Sequence, residues 1–295
     1  MNPLRRLGNF LSRLGLALCL PLLVLSGCAT LPVSQPGTLA AGETGRTLLA
    51  EWLQRSAQPQ SVQGVAKVRV QTPQRTLNGT QVIVAGAPDQ LRAETLSPFG
   101  TPLLVLAANG TQLAVLLPGD NLFYHGQATP ENLGRFTRLP LRLADLVGIL
   151  LSRPPLLTYQ QLDAFALAEG GWRIELAAGQ RRQLLHFDAA LRLVEVHYLT
   201  AGVLQLQLVY GDYAESGDNL PRRIELKLPL QQTQASLLFN ELEADRQLLP
   251  ALFTLEPPPG ATIIGLDTLA ATGADRPPAG NATMAPPAAA PEEDR

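Results

Sequence analysis

Three histidines, His125, His186 and His197, are the residues best suited to acid–base or metal chemistry, and each falls in a separate strand-like segment. None has the paired spacing that metal ligands show on one helix or hairpin, so no metal site is expected. There is no G-x-S-x-G elbow, no G-x-x-x-x-G-K-[ST] phosphate cradle and no G-x-G-x-x-G. His186 and Asp188 could be drawn as part of a triad, but alternation puts both on one polar strand face, where solvated side chains are ordinary. The expectation is a protein with no catalytic residues and no cofactor.

Covalent chemistry is expected at one other place. Residues 1–27 carry Arg5, Arg6 and Arg13, then an apolar run from Leu14 to Leu25, then Ser26 and Gly27 before Cys28. The run is too short to span a bilayer and reads as an export signal. Leu25-Ser26-Gly27-Cys28 looks like the bacterial lipobox, in which the peptide is cut before the cysteine, whose thiol is diacylated and whose new amine is acylated. Cys19 would leave with the signal, so Cys28 would be the one cysteine of the mature chain and no disulfide could form. Three acyl chains would hold the protein on a membrane. Ala29, rather than Asp, after the cysteine is similar to an outer-membrane address.

Composition limits the alternatives. The 295 residues are 46% hydrophobic, 16% charged and 5% aromatic, with a net charge of −2. Without residues 1–27 the chain holds 20 basic and 25 acidic side chains, which offers nucleic acid neither a basic surface nor a stacking platform. From 28 to 45 the sequence reads as a Pro/Gly/Thr-rich tether. Thr44 can cap a helix over 46–57 that turns Leu48, Leu49, Trp52 and Leu53 to one side. Beyond it the period becomes two: Ala66, Val68 and Val70 alternate with Lys67 and Arg69, Leu204, Leu206 and Leu208 with glutamines, and Ile224, Leu226 and Leu228 with charges. Turn signals such as Asn78-Gly79, Asn109-Gly110 and Gly170-Gly171 separate nine to eleven strands.

One long helix, with Leu139, Leu143, Leu146, Val147, Leu150 and Leu151 at helical spacing, interrupts the strands. The fold class expected is mainly β: an unclosed antiparallel half-barrel, with helices covering its concave side, over residues 46–255. Eight prolines and an Ala-rich acidic end mark 256–295 as a disordered tail.

The segment Leu96-Ser97-Pro98-Phe99-Gly100 places Pro98 and Gly100 at the second and fourth positions of a tight turn, with Phe99 near its tip. The ring either folds back to cap the core or stands out to touch a membrane or a client.

Several segments, in order, resemble the LolA/LolB-like lipoproteins: Ser97-Pro98-Phe99-Gly100, Leu139-Pro140-Leu141 with Leu146 to Leu150, Val209-Tyr210-Gly211-Asp212-Tyr213, and Leu220-Pro221-Arg222-Arg223-Ile224-Glu225-Leu226. The resemblance covers about residues 45–250. It differs from the family at Phe99, where leucine is usual, and in the Pro/Ala tail. It implies a monomer on the periplasmic side of the outer membrane that receives acyl chains of client lipoproteins, from a LolA-like carrier, and helps insert them. Inner-face candidates for the cavity are Val68, Val82, Leu104, Leu106, Leu206, Leu226 and, on the helix, Leu143, Leu146 and Val147. The reading from a different class is a structural lipoprotein that scaffolds an envelope complex.

Overall fold

The computed structural model describes residues 37–214 and 220–271. The expected signal, Cys28 and the tail beyond 271 lie outside them.

Among the described residues fifteen strands form one sheet with two free edges, so that sheet is unclosed. In chain order the strands are β1 (Thr38–Leu39), β2 (Ser61–Gln71), β3 (Thr76–Gly86), β4 (Gln90–Leu96), β5 (Pro102–Asn109), β6 (Gln112–Leu117), β7 (Leu122–Gln127), β8 (Gln161–Ala166), β9 (Trp172–Ala178), β10 (Arg181–Phe187), β11 (Leu193–Thr200), β12 (Val203–Tyr213), β13 (Pro221–Leu228), β14 (Thr233–Ala244) and β15 (Thr262–Gly265). Across the sheet the order is β1-β8-β9-β10-β11-β12-β13-β14-β2-β3-β4-β5-β6-β7-β15. Every pairing between neighbours is antiparallel except β7 with β15. That parallel pair, and the two-residue β1, were not anticipated.

Register settles which residues share a face. Val68 pairs with Leu237, Leu237 with Ile224 and Ile224 with Tyr210, while Ala66 pairs with Phe239. All of these belong to one apolar core. Its other wall is made of helices. In α1 (Gly42–Ser56), Leu49 and Trp52 are buried, and Trp52 meets Phe187 of β10 edge-on at 5.6 Å between ring centroids. The helix begins after Ala41, not at Thr44, whose amide already donates to the Ala41 carbonyl at 2.9 Å. With β1, it carries the folded domain back to Thr38, ahead of the expected boundary at 46.

The long helix expected over 139–151 is a shorter one, and a second helix that was not expected precedes it. Thr129 Oγ accepts from the Asn132 amide at 3.2 Å and caps α2 (Pro130–Thr137), with Pro130 in its first turn. Arg138, with φ 64°, ends it. Pro140 lacks an amide donor and restricts Leu139, so α3 starts only at Leu143 and ends at Leu150. Leu143, Val147, Ile149 and Leu150 of α3 are buried in the core, and Tyr124 of β7 meets Phe136 of α2 edge-on at 5.3 Å.

The chain after Glu256 also departs from expectation. Rather than being disordered from there, it runs to β15 and α4 (Leu266–Ala271), with Leu266 fully buried. Thr262-Ile263-Ile264, two β-branched isoleucines following a threonine, supplies the strand signal that the surrounding prolines obscure. Among the described residues no helix is long and apolar enough to cross a membrane.

Candidate functional site

The concave face gathers most of the expected cavity residues. Leu106, Leu143, Val147 and Leu226 are 0–3% exposed, and Val68, Leu104, Leu146 and Leu206 pack against them from partly buried positions. Val82 is not among them. Its cross-strand partners are Val65 and Glu94, and its neighbours Ile83 and Ala85 take the inner positions, so Val82 points to the convex face. The four buried side chains are closed off from solvent, and the four partly buried ones keep some exposed surface. The inner wall and the helices meet as a filled core.

Two side chains, through three hydrogen bonds, hold the segment after α3 onto this wall. Gln183, fully buried on β10, donates from Nε2 to the Pro155 carbonyl at 3.0 Å and accepts from the Leu157 amide at 2.7 Å. The Tyr198 hydroxyl of β11 donates to the same Pro155 carbonyl at 2.7 Å. Burial pushes the Tyr198 hydroxyl well above the ordinary tyrosine range, so it keeps its proton throughout the neutral range. Elsewhere in the core the Tyr124 and Tyr210 hydroxyls are buried without a hydrogen-bond partner. These are polar points on the wall of an otherwise apolar interior.

The β4–β5 turn projects at one end of the sheet. The Gly100 amide donates to the Ser97 carbonyl at 3.0 Å, Ser97 Oγ accepts from the Phe99 and Thr101 amides at 3.2 Å each, and Ser97 Oγ lies 2.6 Å from Thr101 Oγ. Gly100 takes φ +81°, which only glycine adopts freely. On this braced turn Phe99 is 95% exposed. The ring does not cap the core.

Two convex-face features were not foreseen. A strap from 246 to 265 crosses β4–β7, with Arg92 Nη1 donating to the Leu252 carbonyl at 3.0 Å and Asn109 Nδ2 to the Phe253 carbonyl at 3.3 Å. Beneath it Val84, Val105, Ala107 and Phe123 are buried together with the strap's own Phe253, and a groove of about 400 Å³ runs between Phe123, His125, Phe253 and Ile263. Unbroken apolar runs, Val82 to Ala85 and Leu103 to Ala108, mark strands covered on both faces.

The second feature joins β10, β11 and β12. Glu195 Oε1 lies 2.8 Å from His197 Nε2 and accepts from Gln207 Nε2 at 2.5 Å, while His186 Nδ1 is 3.6 Å from Glu195 Oε2. His186 pairs with Glu195 across the strands, and its ring centre is 5.7 Å from that of His197. Two of the three histidines, on the consecutive strands β10 and β11, therefore meet. Among the described residues no group of His, Cys, Asp and Glu is arranged to hold a metal ion.

The protein is thus an unclosed, helix-lined half-barrel with an apolar interior, the architecture that the LolA/LolB-like resemblance implies. Among solved structures it is similar to a DUF1329 family protein from Desulfovibrio piger (14% identity, 72% of this chain and 96% of that one covered, TM-score 0.48) and a LolA superfamily protein from Nitrosomonas europaea (15%, 72% and 97%, 0.46). It is also similar to the lipoprotein LppX from Mycobacterium tuberculosis (10%, 71% and 99%, 0.31). No family model and no curated protein sequence matches the chain.

Proposed function

We propose that this protein is a lipoprotein anchored through Cys28 to the periplasmic face of the outer membrane, which takes up acyl chains of client lipoproteins between its helices and its concave sheet. One observation carries this reading: the interior is apolar on both walls, and the helical wall includes a pair of eight-residue helices followed by a buried polar clamp at Pro155 and Leu157. An incoming chain replaces helix-to-sheet contacts with chain-to-sheet contacts of the same chemistry, so little apolar surface is exposed during exchange. A barrel interior of this kind needs no catalytic group.

Phe99 belongs to release. Inserting one ring into a bilayer contributes about 1.5–3 kcal/mol, whereas a single fourteen-carbon chain at about 0.8 kcal/mol per methylene contributes far more. The ring therefore disturbs the lipid surface where client chains leave, and the acyl chains on Cys28 hold the protein. A LolA-like periplasmic carrier is the proposed donor.

The filled core favours a second reading, a structural lipoprotein whose sheet is permanently closed. Titrating a fluorescent fatty acid into the protein freed of its anchor separates the two. Saturable binding displaced by unlabelled fatty acid supports uptake, and a linear, non-displaceable signal supports the structural reading.

A further inference from the structure

The register places six connections at one end of the sheet: 72–75, 97–101, 118–121, 179–180, 201–202 and 229–232. Gln71 pairs with Gln234, Arg181 with both Ala178 and Thr200, and Thr200 with Val203, so these tips follow one another along a single rim. The rim continues to Tyr159, next to Gln160, whose amide donates to the Ala177 carbonyl at 2.8 Å. Exposed large apolar side chains concentrate there. Leu77, Phe99, Leu103, Tyr159, Val203 and Leu230 are each 36–95% exposed, and they come from six different strands or connections.

The same rim is basic. Arg75, Arg181 and Arg182 are exposed at its tips, and Lys227 is the last residue but one of β13. None of the four forms an ion pair with a described residue. Asp120 is the one acid on the six connections. The opposite end differs in sign: its turns carry Asp89, Glu169 and Asp188, the last paired with Arg192 at 2.7 Å.

We infer that this whole rim, and not the Phe99 turn alone, is a docking surface for a bilayer bearing anionic headgroups. Scattered exposed leucines are unremarkable singly. Six at one end, interleaved with unpaired arginines and opposed by an acidic far end, match the layering of an anionic membrane surface, where cations sit at the headgroups and apolar tips reach below them. The inference deepens the proposed function by fixing which end of the half-barrel faces the lipid. It does not depend on the interior binding acyl chains.

The test uses the full chain reconstituted into vesicles, with single reporters Phe99→Trp, Val203→Trp and Leu230→Trp on the rim and Glu169→Trp at the far end. The vesicles are phosphatidylcholine with or without phosphatidylglycerol, and brominated acyl chains serve as quenchers. The expected result is quenching above the Trp52 and Trp172 background at all three rim positions and none at 169. Quenching should be stronger with phosphatidylglycerol and weaken with salt. In the Arg75→Glu/Arg181→Glu/Arg182→Glu background it should fall by about fivefold or more, with the thermal transition unchanged. Equal quenching at 169, or no dependence on the arginines and on anionic lipid, overturns the inference. Quenching at position 99 alone also overturns it while leaving the Phe99 reading intact, and failure of fatty-acid binding leaves the rim standing.

Discussion

Gln183 on β10 holds Pro155 and Leu157 at the same time, donating to one carbonyl at 3.0 Å and accepting from one amide at 2.7 Å while fully buried. A lone amide in an apolar wall is costly unless satisfied. Here both ends of it are used to fasten the segment that leaves α3.

Gln183→Leu should therefore cost about 1–3 kcal/mol, because the Leu157 amide is left buried without a partner. Chemical denaturation would measure it. Hydrogen exchange should rise at residues 151–158 before it rises in the strands, and a uniform rise across the sheet would mean that the glutamine supports the fold as a whole rather than this segment.

Phe99→Glu should leave stability within about 0.5 kcal/mol of the parent, since the ring touches little of the protein. Membrane fractionation and fatty-acid binding should persist while transfer of a bound lipoprotein to liposomes stops. Transfer at the parental rate with the fold intact would remove the turn from the release step.

Acid should destabilise the protein in two stages. The Glu195 carboxyl titrates at about 2: burial pushes it upward, but the hydrogen bonds from His197 and Gln207 and the charges of His197 and His186 outweigh burial. Its folded value lies below the ordinary 4.5, so its contribution is complete above that pH and is lost as pH falls from 4.5 towards 2. His186 is lowered from 6.5, chiefly by burial. The folded protein then takes up that proton less readily than the unfolded chain, and stability starts to fall as pH drops through 6.5. Melting temperatures across this range should decline in the parent, and Glu195→Gln should flatten the step between pH 4.5 and 2. An unchanged step would place the acid sensitivity elsewhere.

Phe253→Ala should cost about 3–5 kcal/mol if the strap is part of the folded domain, since the ring is 1% exposed against the convex face. A change under about 1 kcal/mol in the melting free energy would show the strap to be dispensable.

What the sequence made legible follows from periodicity. Ala66, Val68 and Val70 against Lys67 and Arg69 declare a strand with one wet face, and β2, β12 and β13 lie where that alternation stands. Ser97 to Thr101 was readable as a turn because proline and glycine determine its backbone; which way Phe99 points depends on bracing by Ser97 that composition does not express. Val82 was misassigned because β3 is covered on both faces, so apolar residues at successive positions do not reveal which side is inner. The meeting of His186 with His197 depends on the pairing of β10 with β11, and cross-strand register has no local signature.

Photo-cross-linking locates where an acyl chain binds. A fatty acid carrying a diazirine at its tail is bound, irradiated and located by mass spectrometry. Saturable labelling is expected within the concave wall and its helices, at peptides holding Leu106, Val147, Leu206 and Leu226. Labelling confined to Phe123, Phe253 and Ile263 in the convex groove, or no saturable labelling at all, would contradict the proposed uptake.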